Sequence, residues 1–128
     1  MRIVIALLLV LHGVAHLVGF VVPWRLASLP DAPRGTTILA GAVDVGETGI
    51  RAVGLGWLAL AVAFAVLAAG LLQGATWWYP ATLVVITASA VFCAIGWPEA
   101  RIGLWVNAAL LALVILGARL GWFAMAAS

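Results

Sequence analysis

The sequence contains no lysine and few charged residues of any kind. Only 8% of its 128 residues are charged, whereas an average soluble domain has roughly 25%. The six basic residues are all arginines and form no run, so the phosphate-contacting surface of a nucleic-acid-binding protein is not expected. Six basic and four acidic side chains cannot cover a water-soluble globule of this length. The composition excludes a soluble enzyme, a disordered chain and a nucleic-acid binder.

Cysteine is nearly absent as well, and apolar residues take up most of the chain. Cys93 is the single cysteine, so no intramolecular disulfide can form. Hydrophobic residues make up 67% of the sequence, and the mean hydropathy is +1.29. This balance indicates an integral membrane protein whose main partner is the lipid bilayer.

Four apolar runs are long enough to span a bilayer, which takes about 20 residues. They cover residues 3–22, 49–72, 78–96 and 100–122. The first is too long for the roughly 7–15-residue core of a signal peptide and contains two histidines, so a retained helix is expected. Three of the runs follow one another closely, which predicts antiparallel neighbours. We therefore predict a single all-α domain, a polytopic membrane protein built as an antiparallel four-helix bundle.

The loop between the first two spans, residues 23–48, is long and partly apolar. Its first half contains Pro23, Pro30 and Pro33, which indicates irregular structure. The apolar segment 37–43 is too short to span, so it is either an interfacial or re-entrant segment or an early start of the second helix. Asp44 and Glu47 have capping-box spacing, which predicts a helix start at about Val45.

Most of the charge falls on one end of the predicted bundle. Antiparallel threading puts the loop 23–48 and the turn 97–101 at the same end, called here the charged end. It holds Arg25, Asp31, Arg34, Asp44, Glu47, Arg51, Glu99 and Arg101. The opposite end has only Arg2 and Arg119. The arginine bias predicts that the charged end faces the cytoplasm, with the protein in the inner cell membrane.

Polar residues within the spans predict one intramembrane pocket. His12 and His16 are four residues apart, so they share a helix face. At 1.5 Å per residue, His16 and Asn107 both lie roughly 10 Å from the charged end, and Trp57 on the second span lies roughly 12 Å from it. Polar residues at such depth usually mark functional sites. We expect His12, His16 and Asn107 inside the pocket, with its mouth formed by Glu47, Arg51, Glu99 and Arg101.

The favoured function for this pocket is binding of a small ligand or a metal ion, in an accessory unit of a membrane complex. His12 and His16 could supply two ligands to a transition metal, with Asp44 as a carboxylate ligand. Haem is less favoured, because two histidines on one helical turn cannot bind opposite faces of one iron. Asn107, Trp57, Trp105, Arg51 and Arg101 are the expected ligand-binding residues.

Two other functions remain open from the sequence. In the first, the protein is a membrane-embedded isomerase, cyclase or redox enzyme acting on a lipophilic small molecule. His12 or His16 would then be the base, and Glu99 or Glu47 the acid. In the second, it is a structural subunit of a homo-oligomer or larger complex, and its polar residues only hydrogen-bond between helices.

The first span also carries a resemblance. Residues 11–20 read Leu-His-Gly-Val-Ala-His-Leu-Val-Gly-Phe. Together with the four spans and the chain length, this segment resembles small bacterial membrane proteins of the DoxX-like group. The resemblance implies a four-helix membrane fold and a general association with redox-linked membrane complexes, and it assigns no role to any residue.

Overall fold

The computed structural model describes residues 1–28, 30 and 35–123, and these residues form an all-helical domain with one small hairpin. The elements are α1 (Arg2–Val21), β1 (Thr37–Ile38), β2 (Val43–Asp44), α2 (Gly46–Gln73), α3 (Trp78–Ile95) and α4 (Arg101–Arg119). All four helices are long and apolar enough to cross a membrane. The four predicted spans are confirmed as helices. α2 begins at Gly46 with Val45 as its N-cap, as the spacing of Asp44 and Glu47 predicts, and α4 ends at Arg119 rather than residue 122.

The helices pack in chain order, and glycines in α1 set the distance between α1 and α2. α1 lies along α2, α2 packs on α3, and α3 packs on α4, whereas α1 and α4 approach each other closely at few points. A Cβ at Gly13 would lie 2.9 Å from the Phe64 Cβ and 3.1 Å from the Ala61 carbonyl oxygen. A Cβ at Gly19 would overlap the Trp57 indole. Small residues here let the two backbones come close, as small residues do in membrane helix pairs.

The apolar core occupies the half of the bundle away from the charged end. Its fully buried members come from all four helices: Ile5, Leu9, Phe64, Leu67, Leu71, Ile86 and Val114, with Trp78 and Leu110 nearly so. Buried polar side chains form the next level toward the charged end, and a cavity lies beyond them. The cavity at the charged end measures about 800 Å³, and a smaller one of about 290 Å³ borders Trp78 and Tyr79 at the opposite end.

The segment 37–43 is part of a β-hairpin, so it is not an early start of α2. Thr37 pairs with Asp44 and Ile38 with Val43 in antiparallel register. At the tip, the N–H of Leu39 donates to the Ile95 carbonyl at 2.8 Å, and the N–H of Ala40 donates to the Trp97 carbonyl at 2.8 Å. Carbonyls at a helix C-terminus lack partners within the helix, so the hairpin both completes the end of α3 and covers this end of the bundle.

The Asp44 carboxylate joins the hairpin to the start of α2. Its Oδ1 accepts hydrogen bonds from the Thr36 hydroxyl at 2.6 Å and from the Gly46 N–H at 3.0 Å. These bonds hold the pKa of Asp44 below its usual value. Because the folded pKa is lowered, the stabilisation is present above the unfolded pKa and is lost as the pH falls through the folded one.

Replacing Asp44 by alanine is expected to loosen the hairpin without unfolding the bundle. The variant loses both hydrogen bonds to Oδ1, so the amides of Leu39, Ala40 and Val45 should exchange with deuterium faster than in the parent protein. Asp44→Asn keeps an acceptor oxygen and should fall between the two. Unchanged exchange at these amides in Asp44→Ala would contradict this role of the carboxylate.

Candidate functional site

Two histidines of α1 are buried in the interior, and His16 has both ring nitrogens engaged. His16 Nδ1–H donates to the carbonyl of His12, one helical turn earlier, at 2.9 Å. A carbonyl can only accept, so this bond fixes the proton on Nδ1 and leaves Nε2 as an acceptor. Nε2 accordingly accepts from the hydroxyl of Ser89 on α3, at 2.7 Å.

His12 joins α1 to α4 through a third hydrogen bond of the site. Its Nε2–H donates to Oδ1 of Asn107 at 3.0 Å, with Ser89 Oγ at 3.5 Å from the same nitrogen. The amide nitrogen of Asn107 in turn donates to Cys93 Sγ at 3.5 Å. His12, His16, Ser89, Cys93 and Asn107 form what we call the polar layer. All five are buried, and their hydrogen bonds offset the free-energy cost of removing polar groups from water.

Helix α2 packs aromatic rings against the polar layer and gives it no polar group. The Phe64 ring lies edge-on to His12 at 4.9 Å between centroids, and the Trp57 ring lies edge-on to His16 at 5.1 Å. The two imidazoles are themselves 4.5 Å apart. Phe92 of α3 packs edge-on against Trp57 at 5.4 Å. Such edge-to-face contacts orient the rings, so the histidines sit against a wall that gives them no hydrogen bond.

A cavity of about 800 Å³ lies between the polar layer and the hairpin. His12, His16 and Cys93 line its deep end, and Trp57 lines one side. Hairpin residues 37, 38, 40 and 41 and turn residues 95–100 line the end next to the charged surface. The lining is mostly apolar, with the two imidazoles as its deepest polar groups.

The cavity also reaches the outer surface between α1 and α4. Val18 and Val22 of α1 and Ile102 and Val106 of α4 line it. Ile102 is 71% exposed and Val18 46% exposed. These exposed lining residues place an opening of the cavity at the surface between α1 and α4. If the bundle lies in a bilayer, a molecule dissolved in the lipid can reach the polar layer by this route.

The structure brings some of the predicted site residues together. His12, His16 and Asn107 meet in the polar layer, and Trp57 packs on His16. Glu99 lines the same cavity, but at the end next to the charged surface. It precedes α4, which begins at Arg101, whereas Asn107 lies about 9 Å further along that helix. The carboxylate and the imidazoles therefore border opposite ends of the cavity.

The other predicted charged residues lie outside the cavity lining. Glu47 is paired with Arg25 at 3.0 Å on the surface. The Arg51 guanidinium lies 5.9 Å from the centre of the Trp24 ring, and Asp44 is bonded within the hairpin. Arg101 is exposed and does not line the cavity either. These side chains lie around the charged end, and each has its own partner or surface position rather than a place in a common site. Asp31 and Arg34 lie outside the described residues.

Trp105 does not join the predicted pocket. It is 73% exposed and is absent from the cavity lining. Trp105 precedes Asn107 by two residues, which is about 200° around a helix. Because Asn107 faces the polar layer, Trp105 must face outward, and its position fits an interfacial or lipid-facing aromatic residue.

A metal site is not assembled in the part of the chain that the structure describes. Among residues 1–28, 30 and 35–123, no three His, Cys, Asp or Glu side chains come together to hold a metal ion. Asp44, the predicted carboxylate ligand, has its Oδ1 bonded to Thr36 and Gly46. Two imidazoles alone fall short of the three or four protein ligands of ordinary zinc sites.

Ser89 and Cys93 are the two polar-layer residues that the predicted site leaves out, and Cys93 had the weaker signal. It lies in an apolar run and reads as a small hydrophobic residue. A signal was nevertheless present, because Cys93 follows Ser89 by four residues and so shares its helix face. The hairpin residues that close the cavity gave no comparable signal.

Comparison with known proteins adds no assignment. No protein-family model, curated protein or solved structure matches this chain.

Proposed function

We propose that this chain is an integral protein of the inner cell membrane that binds a small lipophilic ligand in the cavity beside His12 and His16. The observation that supports it most directly is an apolar cavity with two buried imidazoles at its deep end and a gap toward the bundle surface. We further propose that the hairpin and the charged end face the cytoplasm, as the arginine bias favours.

The size and lining of the cavity support a ligand more than a structural role. Ligand pockets usually measure about 300–1,000 Å³ and combine apolar walls with a few polar groups, and this cavity of about 800 Å³ has that composition. A layer that only joined helices would need the hydrogen bonds among His12, Ser89 and Asn107, but it would need no space beside them. A purely structural role therefore does not account for the cavity.

The position of Glu99 favours binding over paired acid–base catalysis. A general acid and a general base acting on neighbouring atoms must both come within hydrogen-bond distance of the reacting group. Glu99 and the polar layer are separated by about 9 Å along α4. They can contact the two ends of one ligand, which fits recognition of an elongated molecule.

Filling the cavity should abolish binding while leaving the polar layer intact. Ala15 lines the cavity, one turn from Gly19 on α1, and its neighbour Val14 does not line it and is 55% exposed. We expect native mass spectrometry of the protein purified in mild detergent to show a bound lipophilic molecule. Ala15→Phe should lose this molecule, because the phenyl ring occupies the cavity.

Val14→Phe is the matched control, since it adds the same ring at the adjacent position outside the cavity. It should retain the bound molecule at the level of the parent protein. Equal occupancy in all three proteins, or no bound molecule in any of them, would overturn the proposed function. Thermal unfolding of each variant shows whether a loss of ligand reflects a loss of fold.

A further inference from the structure

The two histidines direct their ring N–H groups to acceptors within the protein, and this decides what kind of ligand group they can receive. The N–H of His16 is directed to its own helix, and the other ring nitrogen of His16 receives the Ser89 hydroxyl. The N–H of His12 is directed to Asn107. Both imidazole protons are thus committed, so neither histidine has a donor left for a ligand.

One ring nitrogen has not been used. With its proton on Nε2, His12 carries a lone pair on Nδ1, and no described residue hydrogen-bonds to that atom. His12 lines the deep end of the cavity. The imidazole pair therefore offers the cavity a hydrogen-bond acceptor and no donor.

We propose, on the basis of the ligand-binding function above, that the ligand is a lipophilic alcohol whose hydroxyl donates to Nδ1 of His12. A hydroxyl can also accept, so the indole N–H of Trp57, another cavity residue, is a compatible second partner. The hydrocarbon part then lies against Val18 and Ile102 and leaves through the gap between α1 and α4.

The lack of a free donor on either histidine also disfavours carbonyl compounds of equal size. An aldehyde, ketone or quinone oxygen is an acceptor only: it can receive the indole N–H of Trp57, but it leaves Nδ1 of His12 without a donor. A polar atom buried without a partner costs more than a made hydrogen bond gains. The alcohol should therefore bind at least about tenfold more tightly than the matching carbonyl compound.

Competition between two isoprenoids tests this directly. Purified protein in detergent is equilibrated with equal amounts of farnesol and farnesal, separated from free lipid by gel filtration, and extracted for quantification by gas chromatography. The chain has no lysine side chain with which an aldehyde could condense, and intact-protein mass spectrometry checks that farnesal has not added to the Cys93 thiol in the cavity. We expect at least about ten bound farnesol molecules for each farnesal. Equal retention of the two would overturn the proposed ligand class.

His12→Phe checks which atom makes the distinction. Phenylalanine keeps an aromatic ring next to Phe64 and removes the acceptor. The variant should still retain isoprenoid, but with the ratio of alcohol to aldehyde reduced to about one. An unchanged ratio would show that another group recognises the hydroxyl and would overturn the assignment to His12. If the variant does not fold, the wild-type ratio still decides the ligand class.

The outcomes separate this inference from the proposed function. Retention of both compounds in equal amounts, with loss of both in Ala15→Phe, would keep the binding site and reject the alcohol. Retention of neither compound, together with no co-purified molecule in native mass spectrometry, would reject the binding site itself. A co-purified molecule without retention of either isoprenoid would keep the site and reject farnesol-like alcohols.

Discussion

Replacing Gly13 by leucine is expected to lower the free energy of unfolding by about 3 kcal/mol, the upper end of the cost of overpacking a core. The added Cβ would lie 2.9 Å from the Phe64 Cβ and 3.1 Å from the Ala61 carbonyl oxygen. Neither neighbour is the far end of a flexible side chain, so α1 and α2 must separate. A titration with sodium dodecyl sulfate, followed by circular dichroism in mixed micelles, measures the change.

The same substitution should also remove ligand binding, because His12 lies next to Gly13 and against Phe64. Val14→Leu is the control, since it places a leucine at the adjacent, exposed position of the same helix. That variant should unfold within about 0.5 kcal/mol of the parent protein. A Gly13→Leu protein as stable as the control would show that α1 and α2 do not pack at this position.

The four helices could be predicted because composition alone determines them. An apolar run of about 20 residues has to satisfy its backbone internally if it lies in lipid, and a helix does so. The helix ends were less predictable, because local contacts set them. α4 ends at Arg119, and the chain then turns with Gly121 at φ 72°, so that Phe123 lies against Gly117. Nothing in the hydropathy of residues 120–122 indicates that turn.

The polar layer could be predicted in depth but not in rotation. The fixed rise of a helix places His16 and Asn107 at similar distances from the charged end, and the structure places both in the polar layer. Hydropathy does not give the rotation of α4 about its axis, so both Trp105 and Asn107 are predicted as ligand-binding residues. The contacts of Asn107 with His12 and Cys93 show that it is the one facing inward.

The hairpin could not be predicted because its partners are remote in sequence. Leu39 and Ala40 donate to carbonyls of residues 95 and 97, and both have positive φ values, 53° and 56°. Such backbone conformations are unfavourable for residues with a side chain, so the segment alone would not choose them. The hairpin closes the cavity, which explains why the sequence indicated polar residues at a shared depth without indicating an enclosed space.

Breaking the hydrogen bond between His12 and Asn107 is expected to have the second large effect on the free energy of unfolding. Asn107→Leu should lower the free energy of unfolding by about 1–2 kcal/mol, because the buried N–H of His12 loses its nearest acceptor. His12→Phe should cost a similar amount, since it leaves the Asn107 oxygen unpaired. Removing both partners leaves neither group unpaired, so the double variant should be less destabilised than the sum of the two.

A double-mutant cycle measured by unfolding in mixed micelles gives this coupling. Additive losses would mean that the two side chains do not depend on each other, which would contradict the polar layer as described. A positive coupling has a further use when it is combined with ligand measurements. If Asn107→Leu still distinguishes farnesol from farnesal and His12→Phe does not, the pair holds the helices together while His12 alone supplies recognition. Stability and recognition would then depend on different nitrogens of the same imidazole, Nε2 toward Asn107 and Nδ1 toward the cavity.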